Sequence, residues 1–172
     1  MKLDIKPTNH EILLDENSLI VSKTDTKGRL TYANRAFMTI SGFSEPELLG
    51  KQHNIVRHPD MPRSVFHLLW QTIQHGHECF AYVKNLTKTG DHYWVLANVT
   101  PDYDAQQNIC GFFSVRRKPR KEAIATIEPI YREMLAAEQS TNAKDAIDAG
   151  TKVLNKYIDS GKKSYDAFIL SI

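Results

Sequence analysis

Alternating apolar and polar residues predict five β-strands in two groups. The strand-like runs cover residues 18–24, 30–33, 80–86, 92–100 and 109–117. Asp25 and Gly28 supply a tight turn between the first two runs, and Gly90 lies in the turn between the third and the fourth. Short polar connections of this kind join antiparallel neighbours, so the pattern predicts an antiparallel sheet.

Helical spacing fills the interval between the two strand groups. Phe37 and Ile40 follow Asn34, which can cap a helix, and a second short helix fits between Ser44 and Gly50. A broad apolar stripe over residues 65–73 predicts a longer third helix. The fold class expected from this order is α+β, a five-stranded antiparallel sheet with helices on one face.

The periodicity changes after Pro119. Apolar residues recur every three or four positions over 124–135 and again over 143–158, and a short apolar end follows. We therefore expect three parts: an N-terminal arm or cap at residues 1–17, a globular domain at 18–118 and a C-terminal helical extension at 119–172.

Charge and composition exclude several classes of function. The net charge is +2, and the dense basic run around Arg116–Lys118 has no interleaved aromatic residues, so we interpret it as a solvated junction and expect no nucleic-acid binding. No run approaches the roughly 20 apolar residues that span a bilayer, which argues against direct membrane insertion. Cys79 and Cys110 lack a C-x-x-C spacing and no signal peptide precedes them, which predicts a reduced, cytoplasmic protein.

One motif set is much more specific than the general pattern. The run His53–Pro62 (HNIVRHPDMP), with Trp70 and the triplet Val83–Asn85, resembles the PAS domain of bacterial aerotaxis receptors over residues 18–118. The resemblance implies a PAS fold that holds FAD without a covalent bond. It also implies redox or oxygen sensing, with the signal passed to a chemotaxis-type or other signalling partner. Whether the chain forms a homodimer stays open.

The resemblance implies a set of cofactor-binding residues. Amides suit the hydrogen-bonding edge of the flavin ring, an arginine suits the diphosphate, and an indole can pack near the ring. Each residue also has an ordinary structural reading, as a helix cap, a strand-edge amide, a surface ion pair or plain core. The expected cofactor-binding residues are Asn34, His53, Arg57, His58, Asp60, Trp70 and Asn85.

Two alternative functions stay open beside the flavin. The first is haem bound through a histidine such as His67, His75 or His77, and the second is a PAS interaction module without a cofactor. No histidine, cysteine and carboxylate set has zinc-ligand spacing, so no metal site is expected. The chain also lacks phosphate-loop, zinc-protease and serine-hydrolase motifs, and we expect no enzymatic activity.

Overall fold

A single antiparallel sheet organises the structure, a computed structural model that describes residues 5–160 and 163–172. In that part of the chain the sheet has five strands, namely β1 (Ile20–Asp25), β2 (Leu30–Ala33), β3 (Cys79–Leu86), β4 (His92–Tyr103) and β5 (Ile109–Arg117). Their order across the sheet is β2-β1-β5-β4-β3, so the two predicted groups of strands meet where β1 pairs with β5. The α+β prediction is confirmed.

Three helices and a 3-10 turn connect β2 to β3 on what we call the inner face of the sheet. They are α1 (Arg35–Ser41), α2 (Glu45–Leu48), the 3-10 helix (His53–Val56) and α3 (Arg63–Gln74). The first helix begins where the Asn34 side chain accepts from the Phe37 amide, and it ends at Gly42, whose φ of 74° suits glycine. Helix α3 presents its apolar stripe to the sheet, as its spacing predicts.

The C-terminal extension contains α4 (Lys121–Gln139), α5 (Ala146–Ser160) and a short α6 (Tyr165–Ser171). Helix α4 lies against the outer face, because the Tyr131 ring stacks on Trp94 at 6.4 Å and its hydroxyl donates to the Tyr82 carbonyl at 2.9 Å. The two amphipathic helices were predicted, and the apolar end is itself helical. None of the described helices combines the length and the apolar character needed to cross a membrane.

The described part of the N-terminal arm runs beside the start of β4. The Thr8 amide donates to the Gly90 carbonyl at 2.9 Å, and the Ile12 amide donates to the His92 carbonyl at 2.7 Å. These bonds tie residues 8–12 to the β3–β4 hairpin. The domain boundaries at 17/18 and 118/119 stay predictions.

Candidate functional site

A cavity of about 370 Å³ lies between the inner face of the sheet and the segment that contains the 3-10 helix and α3. Strands β1, β3, β4 and β5 form one wall, and α3 forms much of the other, with Ile147 of α5 at the margin. Its described lining residues are Ser22, Thr24, Gly28, Gln52, His53, Asn54, Arg57, Arg63, Phe66, His67, Leu69, Trp70, Ile73, Val83, Asn85, Ala97, Val99, Phe112, Ser114, Arg116 and Ile147. This volume falls within the range of small-molecule and cofactor sites.

Strand alternation decides which side chains reach the cavity. The register pairs Ser22 with Ser114 and Val99 with Ser114, and it pairs Ala97 with Arg116. Residues paired across neighbouring strands share a face, and every second residue returns to it. Arg116 is therefore on the inner face, whereas its neighbour Arg117 is exposed on the other face.

Arg116 forms the polar end of the cavity with its neighbours. The Arg116 guanidinium is only 2% exposed, its Nη2 donates to Ser22 Oγ, and its Cζ lies 4.7 Å from the centre of the Phe37 ring. A hydrogen bond of 3.1 Å joins Ser22 Oγ to His53 Nε2, and the His53 ring stacks on Phe37 at 5.8 Å. The buried Tyr93 hydroxyl has no hydrogen-bond partner among the described residues.

Burial sets the charge of this cluster. Desolvation lowers the pKa of His53 to about 3, and the positive charge of Arg116 adds to that effect, so the imidazole is neutral at pH 7. Burial also lowers the pKa of Arg116, to about 10, which leaves it charged at pH 7. Burial raises the pKa of Tyr93, which keeps that phenol protonated. Arg116 thus supplies a positive charge among neutral neighbours.

The rim of the cavity is basic and more exposed. Arg57 lies against the Phe66 ring, with its Cζ 4.6 Å from the ring centre, and its Nη2 donates to the Met61 carbonyl at 2.9 Å. Arg63 and His67 on α3 are exposed and also line the cavity. The chain thus surrounds the opening with cationic and hydrogen-bonding groups that solvent can reach.

Four of the predicted residues meet at the cavity: His53, Arg57, Trp70 and Asn85. Trp70 closes one side, since its ring meets Phe112 edge-on at 5.3 Å and approaches the β1–β2 turn. At that turn a Cβ added to Gly28 would lie 2.9 Å from the Trp70 ring, so glycine is required for this approach.

The other three predicted residues lie outside the cavity lining. Asn34 accepts from the Phe37 and Val21 amides, each at 3.0 Å, and donates to the Leu19 carbonyl at 2.8 Å. The side-chain amide therefore holds β1 to the start of α1, which agrees with the interpretation of Asn34 as a helix cap.

His58 and Asp60 fix the loop before α3. Lys84 Nζ, buried on β3, donates to Asp60 Oδ2 at 2.8 Å, and His58 Nδ1 accepts from the Asp60 amide at 3.1 Å. Burial lowers the pKa of His58 to about 4, and Lys84 adds to the effect. The structure shows these two side chains supporting the loop that carries Arg57.

The sequence interpretation missed Arg116 and Ile147. The basic run at 116–118 was expected to be solvated, and this is wrong for Arg116, which lies on the apolar inner face. Its alternation with Phe112 and Ser114 along β5 was the available signal. Ile147 reaches the cavity through the packing of α5 on α3, which periodicity alone does not reveal.

Of the haem candidates, only His67 lines the cavity, whereas His75 and His77 lie at the exposed end of α3. His75 Nδ1 is hydrogen-bonded to the Gln71 carbonyl at 2.6 Å. Within residues 5–160 and 163–172 no three histidine, cysteine, aspartate or glutamate side chains come together as metal ligands.

Comparison with known proteins agrees with this geometry. A family model described as PAS fold matches residues 16–118. The chain is 39% identical over 133 residues to an aerotaxis receptor of Escherichia coli, covering 77% of this chain and 26% of the receptor. It is 26% identical over 105 residues to a nitrogen fixation regulatory protein of Klebsiella pneumoniae, covering 61% of this chain and 21% of that protein.

The PAS family match and the aerotaxis receptor match confirm the sequence resemblance. The chain spans about a quarter of the length of the aerotaxis receptor and about a fifth of that of the nitrogen fixation regulatory protein. Among solved structures, the light-state blue-light photoreceptor Aureochrome1 LOV superposes with a TM-score of 0.56 at 22% identity. That match covers 71% of this chain and 91% of the other, and it supports the fold.

Proposed function

Because the chain belongs to the PAS family, with residues 16–118 matching its model, we propose that the cavity holds a flavin non-covalently and that the protein senses redox state or oxygen. The observation that carries the proposal is the cavity itself, which combines apolar walls with an amide and a buried cation. The role is sensing rather than catalysis, and its setting is the cytoplasm.

The lining suits the ring system of a flavin. Phe112, Val83, Leu69 and Trp70 provide apolar contact for a flat ring. Asn85 offers a donor and an acceptor, and Arg116 offers donors that no described residue uses. A bound flavin supplies reversible uptake of electrons, and the residues around its ring determine how readily it takes them.

We propose FAD as the flavin because of the rim. Arg57 and Arg63 place two guanidinium groups at the exposed side of the cavity, where a diphosphate outside the cavity would meet them. His58 and Asp60 support this segment through Lys84 and so act on the cofactor through the position of Arg57. Asn34 caps α1 in this proposal and does not contact the flavin.

The output is proposed to leave through the C-terminal helices. Ile147 of α5 lines the cavity, and Glu138 of α4 accepts hydrogen bonds from the Arg63 and Ser64 amides at the start of α3. A change in the cavity that favours one packing arrangement of α3 would therefore shift the equilibrium between packing arrangements of α4 and α5. A signalling protein of the chemotaxis type, or a second copy of the chain, would read that packing.

The first experiment identifies the ligand. We expect the purified chain to show the absorbance bands of oxidised flavin, and mass spectrometry of the released cofactor to give FAD. A Soret band would indicate haem, and a colourless preparation that does not bind added FAD would indicate an interaction module. Either result would contradict the proposal.

A matched pair of variants tests the cavity as the binding site. Asn85→Ala removes a lining amide, so we expect FAD affinity to fall about tenfold, the equivalent of one hydrogen bond of about 1.4 kcal/mol. Asn98→Ala is the control, because Asn98 donates to Glu78 at 3.0 Å outside the cavity lining. Titration of FAD fluorescence measures both. Equal affinities for the two variants would place the flavin elsewhere.

Hydrogen exchange tests the output. Reduction of the bound flavin should change exchange in β3, β4 and residues 122–158 together. Identical exchange of the helices in both redox states, with reduction verified by absorbance, would limit the extension to a structural role.

A further inference from the structure

Arg116 is a buried charge without a counter-ion in the described part of the chain. No carboxylate lies within 4 Å of its guanidinium there, and its Nε and Nη1 have no hydrogen-bond partner. A buried ion without a partner costs several kcal/mol, and buried polar groups are almost always satisfied. The Phe37 face and Ser22 Oγ satisfy only part of this group.

Among the described residues, no side chain around Arg116 supplies a negative charge to compensate its guanidinium. His53 is neutral, Tyr93 is protonated, and Asn85 and Ser114 on the same wall carry no charge. The unused Nε and Nη1 carry most of the donors of the guanidinium. Since Arg116 also lines the cavity, the missing acceptor is expected from a ligand placed there.

We propose that Arg116 receives the electron-rich, carbonyl-bearing edge of the ligand and makes the cavity prefer the reduced, negatively charged state of a flavin over the oxidised state. The inference rests on the proposed function and deepens it, because it assigns the residue that sets the reduction potential. Arg116 would contact the flavin directly and stabilise its charge.

Reduction of a bound flavin requires an external reductant. Two electrons from a chemical reductant such as dithionite, together with one proton from water, would add one net negative charge to a bound oxidised flavin. A cation near the pyrimidine ring stabilises that charge, so binding to the reduced form tightens and the reduction potential rises. Without the cation the added charge would favour a second proton.

The test compares two substitutions with a neighbouring control in the full chain. Arg116→Met keeps an unbranched apolar stem and removes the charge, Arg116→Lys keeps the charge with fewer donors, and Arg117→Met removes an exposed charge from the next residue. Dye-calibrated reduction gives the potential of the bound flavin, and titration gives its affinity in the oxidised form. Urea unfolding of the flavin-free chain gives the stability.

We expect Arg116→Met to reduce the preference for reduced over oxidised flavin at least about tenfold, which lowers a two-electron potential by about 30 mV. The flavin-free Arg116→Met chain should unfold at an equal or higher urea concentration, because its unpaired charge is gone. Arg116→Lys should fall between the parent protein and Arg116→Met. Arg117→Met should change neither property.

Three results would overturn the inference in distinguishable ways. A parent chain that binds no flavin would remove the proposed function and this inference with it. Flavin binding with the same potential in Arg116→Met and the parent would overturn the inference alone. Failure of both Arg116 variants to fold, or loss of flavin-free stability in both, would show that the guanidinium already has a structural partner.

Discussion

Two buried charges, Glu138 and Arg116, differ in how completely the protein satisfies them. Glu138 is 6% exposed and accepts from the Arg63 amide at 2.9 Å, the Ser64 amide at 2.8 Å and Ser64 Oγ at 2.6 Å. Arg116 is 2% exposed and has two nitrogens without described partners. One charge is engaged within the fold, and the other is open toward a cavity.

The difference separates a structural role from a binding role. The Glu138 carboxylate caps the start of α3, where unpaired amides and the helix dipole favour an anion, and it thereby joins the extension to the cavity wall. Arg116 is buried at least as deeply, but fewer of its hydrogen-bonding atoms have partners. Burial of a charged group alone therefore does not indicate its function. Hydrogen-bonding atoms that are left without a protein partner do indicate a binding role.

The largest effect is expected at Glu138. Glu138→Ala leaves two amides and a hydroxyl at the start of α3 without their acceptor, so the free energy of unfolding should fall by about 3 kcal/mol. Glu138→Gln keeps one carbonyl acceptor and should lose about half as much. Urea unfolding of the full chain measures both.

The control for this prediction is Glu122→Ala, which removes an exposed carboxylate from the first turn of the same helix and should change stability by no more than about 0.5 kcal/mol. Equal stability of Glu138→Ala and Glu122→Ala would mean that the junction of α4 and α3 contributes nothing. Glu138 would then have no structural role to set against the binding role of Arg116.

His53 gives the next effect, through pH. Its pKa falls from 6.5 to about 3 on folding, because of burial and of Arg116, so below pH 6.5 the unfolded chain binds a proton that the folded chain does not. Stability is therefore lost as pH falls from about 6.5 toward about 3. Between pH 7 and pH 5 this one histidine should cost about 2 kcal/mol.

The variant His53→Gln isolates that contribution. It removes the titrating group, so its unfolding free energy should fall by about 2 kcal/mol less between pH 7 and pH 5 than that of the parent. His67→Gln, an exposed substitution on the same cavity, is the matched control and should change the unfolding free energy at pH 7 by no more than about 0.5 kcal/mol. Parallel profiles for His53→Gln and the parent would contradict the lowered pKa of His53 in the folded chain.

Much of the fold could be predicted because local rules and the final packing agree. The structure contains the strand predicted over 92–100 and the helix predicted over 65–73, and each element buries its apolar face. Asn34 illustrates the limit of prediction from the sequence, because an asparagine can serve either as a helix cap or as a cofactor ligand. Only the position of its three hydrogen bonds separates these readings.

The cavity could be predicted only in part. His53, Arg57 and Trp70 lie in the segment that carries the specific motif, whereas Arg116 lies in a basic run whose average character is that of a surface. Strand period places Arg116 inward and Arg117 outward, so the run contains two environments. Ile147 depends on contacts between α5 and α3, which form only in the tertiary structure.

The smallest effect tests Asn34, a polar group that the fold already satisfies. Asn34→Ala removes the cap of α1 and should lower the free energy of unfolding by about 1 kcal/mol. Asn34→Asp retains the accepting oxygen and should recover most of that loss, although the bond to the Leu19 carbonyl is gone. Because Asn34 lies outside the cavity lining, the flavin affinity of both folded variants should equal that of the parent. A loss of affinity of about tenfold in Asn34→Asp, with its stability intact, would show that the amide contacts the cofactor and that a satisfied group can also serve the ligand.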